Sequence, residues 1–238
     1  MENSFTTDDF LGGKIKLRQP VKGYRATSDA VLLAAAADPQ PGQKILDVGA
    51  GTAAVGLCLA ARCPDVTVDG IEIQPEMAGL DNLSHRVHVA LADIRAKKID
   101  GLPTGSFDWV VSNPPFILEN QPSPDKIRDV AHRESGCPLN EWITHCLRYV
   151  AARGYFALIN RADRLPEIMS VLYGRLGALK IIPVWTKEGE PAKRVIIIGR
   201  KGVRSSAVLT PGIILMHDDG TRSKAAEEIM RQGKALTF

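Results

Sequence analysis

The chain is short of the marks that would settle its class at a glance. Four cysteines are present, Cys58, Cys63, Cys137 and Cys146. They form no CxxC pair, and no histidine stands at zinc-ligand spacing from them, so neither a redox pair nor a zinc knuckle is expected and no metal is assigned. No apolar stretch reaches the 18 residues that a membrane span needs. The first residues, MENSFTTDDF, are acidic and lack the basic start and apolar centre of a secretory leader, so reduced thiols and a cytoplasmic setting are expected. A formal net charge of +3 is too small to point to a nucleic-acid partner by itself. There is no internal repeat, low-complexity tract or composition shift resembling a linker, and the 238 residues are read as one domain with enough chain to bury a substantial core.

What is present is an alternation of short apolar runs and helical patterns. SDAVLLAAAA (28–37) predicts a helix opened by Ser28 or Asp29 and closed before Pro39 and Pro41. KILDVGAG (44–51) predicts a buried strand running into a glycine turn, followed by an alanine-rich helix over 52–62. VTVDGIEI (66–73), RVHVALAD (86–93), SFDWVVS (106–112) and GYFALIN (154–160) read as further strands, with helices expected over 75–83, 139–152 and 164–177. ALKIIPVWT (178–186) and KRVIIIGRK (193–201) flank the loop KEGEPA and predict an antiparallel hairpin, with a strand at 211–219 and a last helix at 222–232. The fold class is α/β, a mostly parallel sheet with helices on both faces.

In open sheets of this kind ligands bind beyond the carboxyl ends of the strands, where strand order reverses. Polar residues gather at those ends. Asp47, Gly49 and Gly51 belong to DVGAGT (47–52), Glu72 ends the second strand, Asp93 the third and Asn113 the fourth. The glycines let a backbone approach a ligand closely. Glu72 lies about 20 residues further on, where a carboxylate can accept both ribose hydroxyls. GAGTAA (49–54) also fits a dinucleotide fingerprint if Ala54 replaces the last glycine, so a nicotinamide-dependent oxidoreductase stays open.

The segment VVSNPPFIL (110–118) raises a different question. A buried run ends in an asparagine and two prolines, and proline cannot donate to a sheet ladder. The lone pair of an exocyclic amine on a planar ring is delocalised, and an acceptor on each N–H would hold that nitrogen and favour its tetrahedral form. The Asn113 side-chain oxygen and the Pro114 carbonyl supply two acceptors. Pro115 restricts the residue before it and so fixes that carbonyl. Phe116 offers a flat face on which a base can stack.

With DVGAGT, the acid in GIEI, the segment ADI (92–94) and NPPF together, the chain resembles class I S-adenosylmethionine-dependent methyltransferases. The resemblance implies a Rossmann-like seven-stranded, mostly parallel sheet ending in an antiparallel hairpin, with S-adenosylmethionine as cofactor. It places the cofactor's methionine part and ribose on the turn with Asp47, Gly49, Ala50 and Gly51, the ribose on Glu72 beside Ile73, and the adenine edge at Asp93 and Ile94, with Asn113 at the reacting end. Adenine N6, cytosine N4 and glutamine amides share the geometry that NPPF suits, so a glutamine-N5 or small-molecule amine methyltransferase is the alternative. FLGGKIKLRQPVKGYRATSDAVLLAAA (10–36), SNPPF (112–116) and PAKRVIIIGRKG (191–202) are similar to bacterial tRNA adenine-N6 methyltransferases acting on valine tRNA. That similarity makes tRNA the expected partner and 1–40 a segment closing over the cofactor through Tyr24, Arg25 and Thr27, ahead of a catalytic core (41–201) and a C-terminal extension (202–238). Phe116 departs from the tyrosine usual there. Lys14, Lys16, Arg18, Lys22 and Arg25 form one basic cluster, and Lys193, Arg194, Arg200, Lys201 and Arg204 another. If both flank one mouth they form a phosphate-tracking surface.

Overall fold

The computed structural model describes residues 5–23, 25–78, 85–115 and 136–237. Its centre is one sheet whose long strands are β3 (Lys44–Val48), β4 (Thr67–Glu72), β5 (Val87–Leu91), β6 (Phe107–Ser112), β7 (Val150–Arg161), β8 (Leu176–Trp185) and β9 (Arg194–Lys201). Across the sheet they run β5, β4, β3, β6, β7, β9, β8. All neighbours pair parallel except β9, which is antiparallel to both β7 and β8. The seven-strand frame and the terminal hairpin are those expected. Strand order turns between β3 and β6, which pair directly although two strands separate them in sequence.

Alternation along the strands sorts the core into two layers, since successive side chains face opposite sides of a sheet. Ile45, Trp109, Val111, Ala157, Ile159, Ile196 and Ile198 face one layer. Leu46, Val110, Phe156, Leu158, Val195 and Ile197 face the other. The first layer is covered by α1 (Ser28–Ala36) and α2 (Ala54–Arg62). Every residue of α1 from Asp29 to Ala36 is buried, which is how a helix without a polar face must sit. Its cap is Thr27, whose side chain accepts from Asp29 N at 3.3 Å, one residue earlier than the sequence suggested. A short helix, α3 (Pro75–Ala78), follows β4; the rest of the helix expected to residue 83 lies outside the described residues. The second layer is covered by α4 (Leu139–Tyr149) and α5 (Leu165–Leu172). α4 stops at Tyr149 because Val150 already begins β7, earlier than expected.

Two parts of the fold differ from the expectation. Phe5–Phe10 (β1) and Ile15–Pro20 (β2) form a separate antiparallel hairpin. Beyond β9, Val208–Leu209 (β10) and Ile213–Ile214 (β11) each add a short parallel pairing to the outer edge of β8, so the expected strand at 211–219 shrinks to two residues. The closing helix α6 (Lys224–Gln232), capped by Ser223, packs against α1 and the turn after β1. There Lys14 Nζ donates to Gln232 O at 3.0 Å and Leu236 N donates to Ala35 O at 2.7 Å. All four cysteines are buried and unbridged. Among the described residues no helix is long and apolar enough to cross a membrane.

Candidate active site

A cavity of about 490 Å³ opens at the carboxyl ends of β3, β4 and β6. Gly49, Gly51, Glu72, Ile73, Asp93, Ile94, Asn113, Pro114 and Pro115 line it, and so do Arg25 and Thr27 from the segment between β2 and α1. The topology therefore brings together most of the residues singled out in the sequence. Tyr24 and Phe116 lie outside the described residues.

The glycine turn is held by the neighbouring strand. Gly49 N and Ala50 N both donate to Ile71 O, at 2.9 and 3.0 Å. Gly49 has φ +73°, a conformation that side chains resist. Ala50 is not on the cavity wall. It is buried against Gly70 of β4, where a Cβ would meet the Ala50 methyl at 2.9 Å. Asp47 also lies behind the turn rather than on the cavity wall. Its Oδ2 accepts from Gly56 N at 3.3 Å, while its Oδ1 has no partner. Burial, reinforced by the nearby Glu72 carboxylate, pushes Asp47 up to about 7. A carboxylate this deep acts on the cavity through its field rather than through contact.

Glu72 is the acid on the wall. Its Oε2 accepts from Gly51 N at 2.7 Å and its Oε1 from Gln74 N at 2.9 Å, which aims both oxygens across the cavity floor. Burial raises its pKa. No cation pairs with it among the described residues. The backbone N–H of Ile73 also acts on this carboxylate, and the lone pairs that the backbone leaves over are open to a ligand hydroxyl. The other charges of the wall are already matched. Asp93 chelates the Arg95 guanidinium (2.6–3.0 Å), and that bond holds its carboxyl below the usual range. Arg25 pairs with Asp8 and also donates to Thr6 Oγ1 and Pro20 O, at 2.9 and 2.8 Å. Gln19 joins the same network, donating to Asp8 at 2.6 Å and accepting from Ala26 N at 2.7 Å. The β1–β2 hairpin thus fixes the wall segment over the cavity.

Asn113 is half-buried at the end of β6, and among the described residues no group hydrogen-bonds its side-chain amide. A polar amide held at a cavity wall without an internal partner is free to bind a ligand. Pro114 and Pro115 follow it along the same wall.

The sequence reading missed three residues here. Asp29 reads in the sequence only as a cap, yet it is buried on the wall and accepts from Arg194 Nε at 2.9 Å. Arg194 had been placed in a basic cluster, and it does reach the cavity. Its companions do not. β9 runs antiparallel, so Arg200 and Lys201 stand six and seven residues away at the opposite end of the sheet, roughly 20–23 Å along the strand. There Arg200 stacks on Tyr155 and Lys201 donates to Leu147 O and Val150 O. The two basic clusters do not flank one mouth. The third missed residue is Trp142 of α4, whose helical spacing reads simply as core. Outside the cavity, Cys137, Glu141 and His145 bring their ligand atoms within 4.8 Å of one another. Arg148 stands 3.3 Å from His145 and the Arg95 charge acts on Cys137, and both oppose a divalent cation there.

The donor set suits a cofactor with a ribose and a positive charge better than one with phosphates. The wall offers an unpaired carboxylate, backed by a buried second one, and its arginines are already neutralised by acids. A Rossmann-like sheet with such a site beside an Asn-Pro-Pro wall defines a methyltransferase that uses S-adenosylmethionine. Residues 26–133 match the family model of the methyltransferase small domain. The chain is 33% identical over 205 residues to the tRNA1(Val) (adenine(37)-N6)-methyltransferase of Porphyromonas gingivalis, covering 80% of each. It is 28% identical to the enzyme of that name from Pedobacter heparinus, covering 83% of this chain and 84% of that one. Among solved structures, an O-methyltransferase by description from Agrobacterium tumefaciens superposes with a TM-score of 0.72 at 25% identity, covering 88% of this chain and 98% of that one. The chain belongs to the tRNA1(Val) adenine-N6-methyltransferase family and is a SAM-dependent N-methyltransferase. The nicotinamide reading of GAGTAA is thereby set aside.

Proposed function

We propose that this enzyme methylates the exocyclic N6 of an adenine in tRNA, at the anticodon-loop position that its relatives' names give. The observation that carries the reading is the Asn113 amide, without a hydrogen-bond partner among the described residues, on the same cavity wall as Glu72. When bound, the cofactor supplies a methyl group on a sulfonium. The residues of this chain do the rest. Glu72 holds the ribose hydroxyls, the backbone of Gly49 and Gly51 cradles the methionine part, and Asp93 and Ile94 flank the adenine ring. Asn113 Oδ1 and the Pro114 carbonyl accept one N–H each from the substrate amine, turning its lone pair toward the methyl. A nitrogen–carbon bond forms, the sulfur–carbon bond breaks, and the amine gives one proton to water. Positioning and electrostatics carry such a transfer without a strong base. The resemblance assigns Phe116 to stacking on the base and Tyr24 to the cofactor, and both lie outside the described residues.

A base in a loop is already unstacked or readily flipped, which suits a cavity of this depth. Arg25 and Arg194 stand on the cavity wall paired with Asp8 and Asp29, so a phosphate beside the flipped nucleotide would share these guanidinium groups with those acids. The chain works as one domain in the cytoplasm, with 1–40 and 202–238 as additions to the core at 41–201. The test is labelled SAM with tRNA from cells lacking the gene, followed by digestion to nucleosides. Label in N6-methyladenosine is expected. Label confined to another nucleoside, or transferred to protein and resistant to ribonuclease, overturns the reading.

A further inference from the structure

The last residue of β6 before Asn113 is Ser112, and the last residue of β3 before Gly49 is Val48. These two face each other in register across the switch point. Ser112 is completely buried, and its hydroxyl donates to Val48 O at 2.8 Å. The same hydroxyl accepts from Trp142 Nε1 at 2.9 Å. One side chain thus donates its hydroxyl hydrogen to the strand that carries the glycine turn and accepts a hydrogen bond from α4. The far edge of the same indole lies against the glycine turn. A Cβ on Gly49 would sit 3.0 Å from Trp142 Cζ2 and 3.2 Å from its Cη2. Trp142 also reaches the cavity wall.

Main-chain pairing joins β3 and β6 along their length, but the last link comes at Val48–Ser112. Past that point the two chains diverge, one carrying the cofactor turn and the other the amine acceptors. In-line transfer depends on the distance and angle between what those two ends hold, and a shift of 1 Å can cost about 100-fold in rate. We propose that Trp142, Ser112 and Val48 form a positioning relay that sets Asn113 against the glycine turn. α4 serves as the strut, and the indole braces both ends at once. Trp142 and Ser112 touch neither reacting atom; they act through Asn113 and Gly49. The proposal rests on the methyl-transfer reading above.

The test uses Trp142→Phe, which keeps an apolar ring and removes the donor, and Ser112→Ala, which removes both hydrogen bonds. Single-turnover methyl transfer to tRNA is expected to fall about 10- to 100-fold in each, with SAM affinity within about threefold of the parent. The double variant should lose less than the product of the two single losses, because the two residues share one hydrogen bond. In the parent, the Trp142 indole N–H should exchange slowly with deuterium, and Ser112→Ala should speed that exchange at least tenfold. Unchanged rates, additive losses, a rate loss that merely follows weaker SAM binding, or fast indole exchange in the parent would each overturn the relay. Ser112→Ala is the smaller cut and serves if Trp142→Phe does not fold. If the parent transfers no methyl to any RNA, the proposed function fails, and the indole exchange alone then decides the relay.

Discussion

Replacing Asp47 by asparagine should change how the stability of this protein depends on pH. In the unfolded chain Asp47 titrates near its ordinary 3.8, whereas burial behind the glycine turn raises it to about 7 in the folded protein. Below pH 4 both states hold the proton and the full stability is present. Between 4 and 7 the unfolded chain releases the proton while the folded chain keeps it, so unfolding gains ground and stability falls as pH rises. A shift of this size corresponds to about 4 kcal/mol, lost by the time pH passes 7. Asparagine fills the same space, can accept from Gly56 N, and carries no charge at any pH. Urea denaturation followed by tryptophan fluorescence at pH 4 through 8 gives the comparison. Asp69, also raised by burial, titrates in both proteins and cancels in the difference, while Glu72, coupled to Asp47 by charge, adds a smaller change of its own. The stability gap should move by about 4 kcal/mol in favour of the variant from pH 4 to pH 8. A gap that stays constant across that range would refute the reasoning. The parent should also bind SAM more tightly as pH rises through 7, since a cation in the cavity favours the ionised Asp47, and the variant should not.

Asn113→Ala should lower kcat by about 100- to 1000-fold, the size found when one transition-state hydrogen-bond partner is removed, while SAM affinity by titration calorimetry stays within about threefold; comparable losses in both would place Asn113 in cofactor binding instead. Gly49→Ala forces a side chain into φ +73° and sets its Cβ 3.0 Å from the Trp142 ring. The backbone strain alone is about 1–2 kcal/mol, so a lower thermal midpoint and at least tenfold weaker SAM binding are expected, and an unchanged protein would show that the turn has slack.

Much of the frame was legible because apolar runs such as KILDV and FDWVVS are cut off by glycine or proline. Their polar termini were legible as a site because a doubly wound sheet delivers strand ends to one crevice. The N-terminal hairpin was harder to read. Its buried set of Ile15, Leu17 and Gln19 alternates with charged residues, and β1 is mostly exposed, so neither strand forms an apolar run. β11 falls inside the strand expected at 211–219 and keeps only two of its residues, whereas β10 is two residues long and exists through pairing with β8, which no local pattern encodes. The same holds for the missed wall residues. Trp142 and Asp29 look like core and cap until the chain folds, because their roles depend on Ser112 and Arg194, far away in sequence. The basic clusters failed for a simpler reason: an antiparallel strand carries its two ends to opposite sides of the sheet.

The seam between α6 and the first hairpin has a consequence for truncation. Lys14 is anchored on Gln232, and Ala35 on Leu236. Cutting the chain after β9 would leave the glycine turn and Asn113 on their strands and the Arg25–Asp8 pair within the front wall. It would strip the outer support from the turn between β1 and β2, a support that lies 218 positions further along the chain.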